Sequence, residues 1–248
     1  MNFRSRLLNK ERFLGTLLTM DCTEAAEILS RSGFDWLFLD LEHSALGPPE
    51  AQKLLQAAGD RVPVLIRVES GDEEGIRKAL DSGADGIIIP HVNSAKAAEH
   101  IVSLAKYPPG GTRSIGPGRA SHFGNEMAGY LSQANTETAV VVQIEHIDAV
   151  AEVEKIASVE GIDALFVGPY DLSGSLGRPG KVDDPEVTRA IDRTLAAAAA
   201  NHLAAGIFAG SAAAASAYLE KGFSLVAVAS DGILLGGAAA SLLEQLKN

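Results

Sequence analysis

Short apolar runs alternate with amphipathic stretches along the chain, and this alternation is the strongest structural signal in the sequence. Runs rich in Val, Ile and Leu that lack polar alternation are typical of strands buried on both faces of a parallel sheet. Helical patterns between the runs begin at turn or capping residues such as Pro48, Asp72 and Ser94. The predicted strands are 13–18, 36–41, 62–68, 86–92, 140–145, 164–171, 204–209 and 225–229, and a last helix is predicted over 233–246.

Strand and helix patterns recur about every 30 residues, which predicts parallel strands joined by helical crossovers. Eight such units in 248 residues fit one α/β domain, a (β/α)8 TIM barrel spanning 1–248. A doubly wound open sheet is the alternative. That fold usually carries a glycine fingerprint for phosphate, and the glycine-rich segment 110–118 matches neither the dinucleotide nor the Walker spacing.

One segment, about 107–138, interrupts the alternation of strand and helix patterns. It contains Gly, Pro, Ser and Asn with scattered aromatics and no strand pattern. A connection this long in a compact domain is usually functional. Because it carries Arg113, Arg119 and His122, we expect a lid or a subunit contact. The alternative is a solvated excursion with one short helix at about 126–133.

Composition narrows the classes of partner. The net charge of −11 and the pI near 5.0 argue against nucleic acid and against an anionic membrane. No apolar run approaches the length of a membrane span, and the run after Arg12 is too short for a signal peptide, so a cytoplasmic protein is expected. Cys22 is the only cysteine, which excludes an intrachain disulfide, and we predict that it belongs to the core.

Two neighbouring predicted strands stop on carboxylates, Glu145 and Asp171. Consecutive parallel strands place both acids at the same end of the sheet, where they would form a site for a hard divalent cation. The alternative is that each acid caps the helix that follows it.

The second and third predicted strands bring further chemistry to the same end. The second ends in Asp40, Glu42 and His43, and the third reaches Arg67. A cation, an imidazole and a metal suit a 2-oxo acid, which chelates the metal through its carboxylate and carbonyl oxygens. Arg67 would stabilise the enolate oxygen and His43 would move protons. Asp40 and Glu42 point to opposite faces of a continuing strand, so at most one should orient His43; alternatively, Arg67 pairs with Glu42 or Glu69.

The other histidines rank lower. His91 ends the fourth strand but has no carboxylate beside it in sequence, and His100, His146 and His202 lie in helical patterns that predict surface positions. No serine occupies a nucleophile-elbow pattern, which argues against a Ser-His-Asp hydrolase. No lysine ends a strand, which argues against a Schiff-base mechanism.

Four motifs resemble one known family. These are 34–43 (FDWLFLDLEH), 107–113 (YPPGGTR), 142–145 (VQIE) and 167–173 (VGPYDLS). They resemble the metal-dependent class II pyruvate aldolases of the HpcH/HpaI type, such as 2,4-dihydroxyhept-2-ene-1,7-dioate (4-hydroxy-2-oxoheptanedioate) aldolase. The resemblance covers essentially the whole chain. It implies a barrel of the phosphoenolpyruvate/pyruvate-domain type, with the last helix exchanged between protomers in a homohexamer built as a trimer of dimers.

The resemblance also implies an activity: cleavage of a 4-hydroxy-2-oxo acid to pyruvate and an aldehyde through a metal-bound enolate. Mg, Mn or Co would be held by Glu145 and Asp171, with His43 as proton acceptor and Arg67 as transition-state stabiliser. Asp81 would raise the basicity of that histidine, and Asp40 is kept as a supporting residue. The implied substrate contacts are Gln143, Gly168, Tyr170 and Asp171.

The chain departs from the family pattern at several positions. Tyr170 stands where the family often has Ala, His91 where Met is usual, and Val68-Glu69-Ser70 where a Pro and an aromatic often follow Arg67. His122-Phe123 replaces a common Arg-Trp. The aldehyde therefore does not carry over from the resemblance.

Two other functions remain open on the same barrel. One is an oxaloacetate decarboxylase or a malyl/citramalyl-type lyase; an acyl-CoA substrate would need a basic patch, and Arg113 and Arg119 are the only clustered candidates. The other is a non-catalytic assembly protein, which would have no need of Glu145, Asp171, His43 and Arg67 together.

Overall fold

Eight parallel strands close into a barrel in the order in which they occur along the chain, as the sequence predicted. The structure is a computed structural model that describes residues 2–247. The strands are β1 (Phe13–Leu18), β2 (Trp36–Asp40), β3 (Val64–Arg67), β4 (Gly86–Ile89), β5 (Ala139–Ile144), β6 (Ala164–Val167), β7 (Ala204–Ala209) and β8 (Leu225–Ser230). The helices are α1 (Phe3–Leu8), α2 (Thr23–Arg31), α3 (Pro48–Ala58), α4 (Glu73–Asp81), α5 (Ala95–Ala105), α6 (Met127–Glu137), α7 (Ile147–Ala151), α8 (Val153–Ala157), α9 (Pro169–Ser175), α10 (Pro185–Ala200), α11 (Ala212–Lys221) and α12 (Asp231–Lys247).

Aromatic side chains fill the barrel interior and pack against glycines of neighbouring strands. A Cβ added at Gly15 would lie 2.4 Å from the Trp36 ring, and one at Gly206 would lie 2.4 Å from the Phe166 ring. Phe38 packs edge-on to Phe166 with ring centroids 5.6 Å apart. Large and small residues therefore alternate around the interior, which lets a closed barrel pack without voids.

Helix α1 closes the amino-terminal end of the barrel, and the sequence pattern did not predict it. Phe3 and Leu7 are buried against the interior residues, and the Phe3 ring lies 4.9 Å from the Phe13 ring. This end is therefore plugged, and the opposite end, where the strands finish, remains available for a site.

The residues at the starts of α7 and α9 show whether Glu145 and Asp171 cap these helices. Asp72 and Ser94 cap α4 and α5 through their side chains, as predicted. Helix α7 is capped by His146, and α9 follows Gly168 with Pro169 at its first position. The alternative in which Glu145 and Asp171 serve as caps is therefore wrong, and both carboxylates are free for other contacts.

The segment 107–138 packs against the carboxyl-terminal end of α4. Gly118 approaches that end so closely that a Cβ there would lie 2.5 Å from the carbonyl oxygen of Asp81. Arg113 is buried, lies 4.4 Å from the centroid of the Tyr107 ring and pairs with Asp81 at 2.7 Å. The predicted short helix is α6, and a lid role for the segment stays a prediction.

Two further expectations concern Cys22 and the membrane. Cys22 directly precedes α2, which starts at Thr23, and its side chain is partly exposed. The prediction that Cys22 belongs to the core is therefore wrong.

Among residues 2–247, no helix combines the length and the apolar character needed to cross a membrane.

Candidate active site

Arg67 and Asp40 form the fixed centre of the site. The register of β2 and β3 sets these residues side by side at the ends of their strands. Arg67 donates from Nε to Asp40 Oδ1 at 2.9 Å and from Nη2 to Oδ2 at 2.7 Å. A two-point contact between a guanidinium and a carboxylate fixes the plane of both groups. Burial opposes the charge on Arg67, but Asp40 outweighs it and the pKa of Arg67 lies above its ordinary value.

The remaining terminal nitrogen of Arg67 contacts Glu42 and Gln143. Nη1 lies 3.1 Å from Glu42 Oε2 and donates to Gln143 Oε1 at 3.4 Å. Of the partners considered from sequence, Glu42 therefore pairs with Arg67, and Asp40, which had been considered only for His43, makes the closer contact. The guanidinium also lies 5.2 Å from the centroid of the Phe38 ring.

Asp40 also shapes the turn that carries His43. Its Oδ1 accepts hydrogen bonds from the backbone N–H groups of Glu42 at 3.0 Å and His43 at 3.3 Å. The nearest carboxylate to the His43 imidazole belongs to Glu42, with 3.7 Å between Nε2 and Oε2. Asp40 thus positions the backbone of this turn, and the imidazole itself remains 59% exposed at the cavity mouth.

Glu42, His91 and Glu145 meet at the same end of the barrel. The His91 imidazole lies between the two carboxylates, with Nε2 3.0 Å from Glu42 and Nδ1 3.1 Å from Glu145. The backbone N–H of His91 also donates to Glu145 at 2.7 Å. Two carboxylates therefore do lie beside His91; they follow β2 and β5 and are not its neighbours in sequence, and whether His91 is a ligand or a base stays a prediction.

This cluster fits a divalent cation. One possible ligand atom from each of Glu42, His91 and Glu145 lies within 4.8 Å of the others. Both carboxylates are largely buried, and Glu42 Oε2 has no hydrogen-bond partner despite its ion pair with Arg67. Burial raises the pKa of Glu42 in spite of Arg67, and the nearby charge of Glu145 adds to the rise. A bound cation would relieve both effects, and oxygen with imidazole nitrogen is a common ligand set for such ions.

Gly168 brings the end of β6 against these acids. A Cβ at Gly168 would lie 3.0 Å from Gln143 Nε2 and 3.1 Å from Glu145 Cβ, so the close approach requires glycine. Gln143 Nε2 in turn donates to Glu145. Asp171 is exposed in the first turn of α9 and lies outside the Glu42, His91 and Glu145 group. Its role as a metal ligand stays a prediction.

Six of the residues singled out from sequence line one cavity of about 170 Å³ at the carboxyl ends of the strands. They are His43, Arg67, Gln143, Gly168, Tyr170 and Asp171. The rest of the lining is apolar and comprises Leu17, Phe38, Phe166, Pro169 and Phe208. The sequence did not identify Leu17 and Phe208 as cavity residues. The one feature that could have indicated them is their position next to the carboxyl ends of the predicted strands 13–18 and 204–209.

Asp81 lies at the carboxyl-terminal end of α4 and does not line the cavity. It pairs with Arg113 at 2.7 Å, and its side chain is 23% exposed. The implied role of Asp81 toward His43 stays a prediction.

Comparisons with known proteins bear on the whole barrel. The family model described as HpcH/HpaI aldolase/citrate lyase matches residues 17–238. A hydroxypyruvate/pyruvate aldolase from Pseudomonas aeruginosa is 37% identical over 239 residues, covering 94% of this chain and 88% of that protein. A 2-dehydro-3,6-dideoxy-6-sulfogluconate aldolase from Pseudomonas putida is 37% identical over 236 residues, covering 94% of this chain and 92% of that protein.

A solved structure extends the likeness to the fold. The crystal structure of an HpcH/HpaI aldolase/citrate lyase family protein from Burkholderia cenocepacia J2315 superposes with a TM-score of 0.95 at 36% identity. It covers 99% of this chain and 98% of that one.

Proposed function

This chain belongs to the HpcH/HpaI aldolase/citrate lyase family, and from that premise we propose that it is a divalent-metal-dependent class II pyruvate aldolase. In this proposal it cleaves a 4-hydroxy-2-oxo acid to pyruvate and an aldehyde. The observation that carries the proposal is a chain of contacts: Arg67 and Gln143 line the cavity, Arg67 donates to Gln143, and Gln143 donates to the buried Glu145. A fixed cation, an amide and a carboxylate for a metal are the groups that a 2-oxo acid needs for enolate formation.

Arg67 stabilises the charge that develops during the reaction. Asp40 holds two of its nitrogens, so Nη1, which lies beside Gln143, is the nitrogen left to donate to the 2-oxo oxygen. A donor that is fixed before the reaction needs no reorganisation when negative charge appears on that oxygen. Gln143, within hydrogen-bond distance of the guanidinium, is the neighbouring contact for the substrate.

Glu145 and Asp171 would hold the metal, and Glu42 and His91 are further donors beside Glu145. When bound, the cation supplies a Lewis acid for the 2-oxo group and a chelation point for the adjacent carboxylate. Mg, Mn and Co all accept carboxylate oxygen, and an imidazole in the ligand set favours the transition ions over Mg.

His43 moves the proton at the mouth of the cavity. In the cleavage direction it takes the proton of the C4 hydroxyl, the C3–C4 bond breaks, and its electron pair remains on the three-carbon fragment as the enolate. The aldehyde leaves with the former hydroxyl oxygen. Protonation of the enolate at C3 then gives the methyl group of pyruvate, so atoms and charge balance without another reactant. An exposed imidazole is suited to this exchange with solvent.

Deuterium exchange into the methyl group of pyruvate tests this proposal without knowledge of the aldehyde. The protein is incubated with pyruvate in D₂O, with added Mg, Mn or Co or with excess EDTA, and the methyl signal is followed by proton NMR. Exchange that requires the cation supports the enolate half-reaction. No exchange with any of the three ions contradicts it. Borohydride reduction with pyruvate should leave the chain unmodified, because the proposed reaction uses no lysine.

A decarboxylase acting on oxaloacetate is the second candidate, because loss of CO₂ would give the same enolate at the same residues. A lyase acting on an acyl-CoA is disfavoured. Arg113 is buried against Asp81, and Arg119 donates to the carbonyl oxygen of Ser82 on the outer side of the barrel, so neither guanidinium faces the cavity. A non-catalytic assembly protein would bind no stoichiometric divalent metal, which calorimetry can decide.

We also propose that α12 is exchanged between protomers of a homo-oligomer, a hexamer in the arrangement that the resemblance implies. The helix carries exposed apolar side chains along its length, among them Leu235 at 66%, Leu242 at 59% and Leu246 at 76%. Leu14, on β1 beside β8, is 38% exposed on the barrel. Apolar surface of this kind favours a protein partner. A second copy of the chain would cover both, and we expect the assembly in the cytoplasm.

A further inference from the structure

The residues that line the cavity fall into two chemically unlike groups, which we call its polar half and its other, apolar half. The polar half is formed by Arg67, Gln143 and Asp171, the residues assigned above to the 2-oxo acid and its metal. The other half is formed by Leu17 and Phe208, partly buried against the barrel interior, and by Tyr170. If the 2-oxo acid occupies the polar half, the remaining carbon chain of the substrate meets the apolar half. The composition of that half therefore bears on the aldehyde.

Tyr170 and Phe208 form one wall of the apolar half, which we call the aromatic wall. Their ring centroids are 6.0 Å apart with planes inclined at 57°. The Tyr170 hydroxyl rests over Gly210, where an added Cβ would come within 2.8 Å of the oxygen. Tyr170 is 47% exposed, so its ring meets both the cavity and solvent. A small residue at position 170 would leave this side of the cavity open.

Two of the segments at the rim beside the aromatic wall carry no lysine or arginine. The segment after β6 carries Arg178, which is paired with Asp184 and Glu186, and the exposed Lys181. The segments that follow β1 and β7, residues 19–22 and 210–211, contain Asp21 and no lysine or arginine. Directly after β8 stands Asp231, whose carboxylate accepts hydrogen bonds from Thr19 and from the Met20 N–H. Among residues 2–247, Arg67 is the only lysine or arginine that lines the cavity, and it is paired with Asp40 and Glu42. An anionic aldehyde chain would meet acids and apolar surface here, without a partner for its charge.

We propose that the aldehyde half of the substrate is uncharged and carries an apolar aliphatic or aromatic chain, and that the aromatic wall selects it. This inference rests on the proposed aldolase function and names the substrate class of the same site. In the synthetic direction, C3 of pyruvate loses a proton and bonds to the aldehyde carbon, and the aldehyde oxygen takes up a proton as the C4 hydroxyl. Butanal then gives 4-hydroxy-2-oxoheptanoate, and no other reactant is consumed.

Butanal and 4-oxobutanoate are a matched pair of probes, since both have four carbons and differ by a methyl group against a carboxylate. The kcat/KM for each aldehyde is measured at saturating pyruvate with the cation that supports methyl exchange, and the products are quantified by chromatography. We expect butanal to be preferred by about tenfold or more, because one buried charge without a partner outweighs one apolar contact. Equal use of the two aldehydes, or preference for 4-oxobutanoate, overturns the inference.

The two proposals fail in different ways. Methyl exchange in D₂O involves no aldehyde, so exchange without a preference for butanal leaves the aldolase proposal standing and removes this one. Absence of exchange removes both.

Three variants test whether the aromatic wall causes the preference. Tyr170→Ala should reduce the ratio of butanal to 4-oxobutanoate by about tenfold, mainly through the KM for butanal. Tyr170→Phe keeps the ring and should retain the ratio. Gly210→Ala forces the tyrosine to move and should reduce the ratio while leaving residue 170 unchanged. Circular dichroism and thermal melting check the fold of each. A ratio that survives both Tyr170→Ala and Gly210→Ala contradicts selection by the wall.

Discussion

Arg67 donates to both carboxylate oxygens of Asp40, at 2.9 Å from Nε and at 2.7 Å from Nη2. The contact joins the ends of two adjacent strands and is buried, so solvent does not weaken it. It leaves Nη1 as the terminal nitrogen directed toward Gln143 and Glu42. The position of the Arg67 guanidinium, to which we assign the catalytic charge, therefore depends on a carboxylate that does not line the cavity.

Asp40→Asn should lower turnover by about 10²-fold, because an amide accepts at one atom only and lets the guanidinium rotate. The loss should appear in kcat and in the rate of methyl exchange more than in the KM for pyruvate. Asp35→Asn is the matched control. Asp35 lies just before β2 at the opposite end of the strand and accepts a hydrogen bond from the Leu14 N–H. Equal effects of the two substitutions would contradict a positioning role for Asp40.

Arg67→Ala should lower kcat by about 10²–10³-fold, the usual cost of removing an oxyanion donor. Arg67→Lys keeps the charge but cannot contact both oxygens of Asp40 and reach the cavity at once, so it should recover only part of the loss. Steady-state kinetics at saturating metal give both values, and circular dichroism reports on the fold. Near-normal turnover in Arg67→Ala would contradict the role of Arg67 as the oxyanion donor.

His91→Ala should weaken binding of Co or Mn by about tenfold or more, because a nitrogen donor beside Glu145 is lost. Calorimetric titration of the metal-free protein measures this without reference to activity. His100→Ala is the control, since His100 is exposed on α5. An unchanged dissociation constant in His91→Ala would show that the imidazole is a neighbour of the metal and not a ligand.

The barrel was predictable because its signal is local. Each strand consists mainly of apolar residues, and the bounds of β1 and β7 agree with the pattern to the residue. The placement of Arg67 and His43 at one end followed from the parallel order of the strands. These predictions needed only the chain direction and the rule that barrel strands end at the same face.

The contacts of the site were not predictable in the same way. His91 reaches Glu42 and Glu145 from a left-handed backbone with φ of 58°, a conformation that histidine seldom adopts and that a sequence pattern does not indicate. Asp81 finds Arg113, 32 residues away, through a segment without strand pattern. Such pairings depend on loop paths, and one sequence alone carries little information about them.

Charge on the exposed face of α12 should dissociate the oligomer. Leu235→Glu with Leu242→Glu places two carboxylates on surface that a second copy would cover, and burying a charge without a partner is costly. Light scattering after size exclusion should show a smaller mass than for the wild type. Gln245→Glu adds one charge on the same helix at a polar position and serves as the control. An unchanged mass in the double variant would contradict exchange of the helix.

Lys106 should make stability rise with pH in the alkaline range. Its amine is buried, donates to the carbonyl oxygens of Thr138 and Asn135, and has a pKa lowered by burial to about 8. An unfolded lysine titrates near 10.4. Between these values the unfolded chain holds a proton that the native protein lacks, so the free energy of unfolding rises with pH. Below both values this contribution to the free energy no longer changes with pH.

Between pH 7 and pH 10 the free energy of unfolding of the wild type should rise by about 2–3 kcal/mol relative to that of Lys106→Met in urea titrations. Lys53→Met, at an exposed site, should follow the wild type. Parallel curves for wild type and Lys106→Met would contradict the lowered pKa.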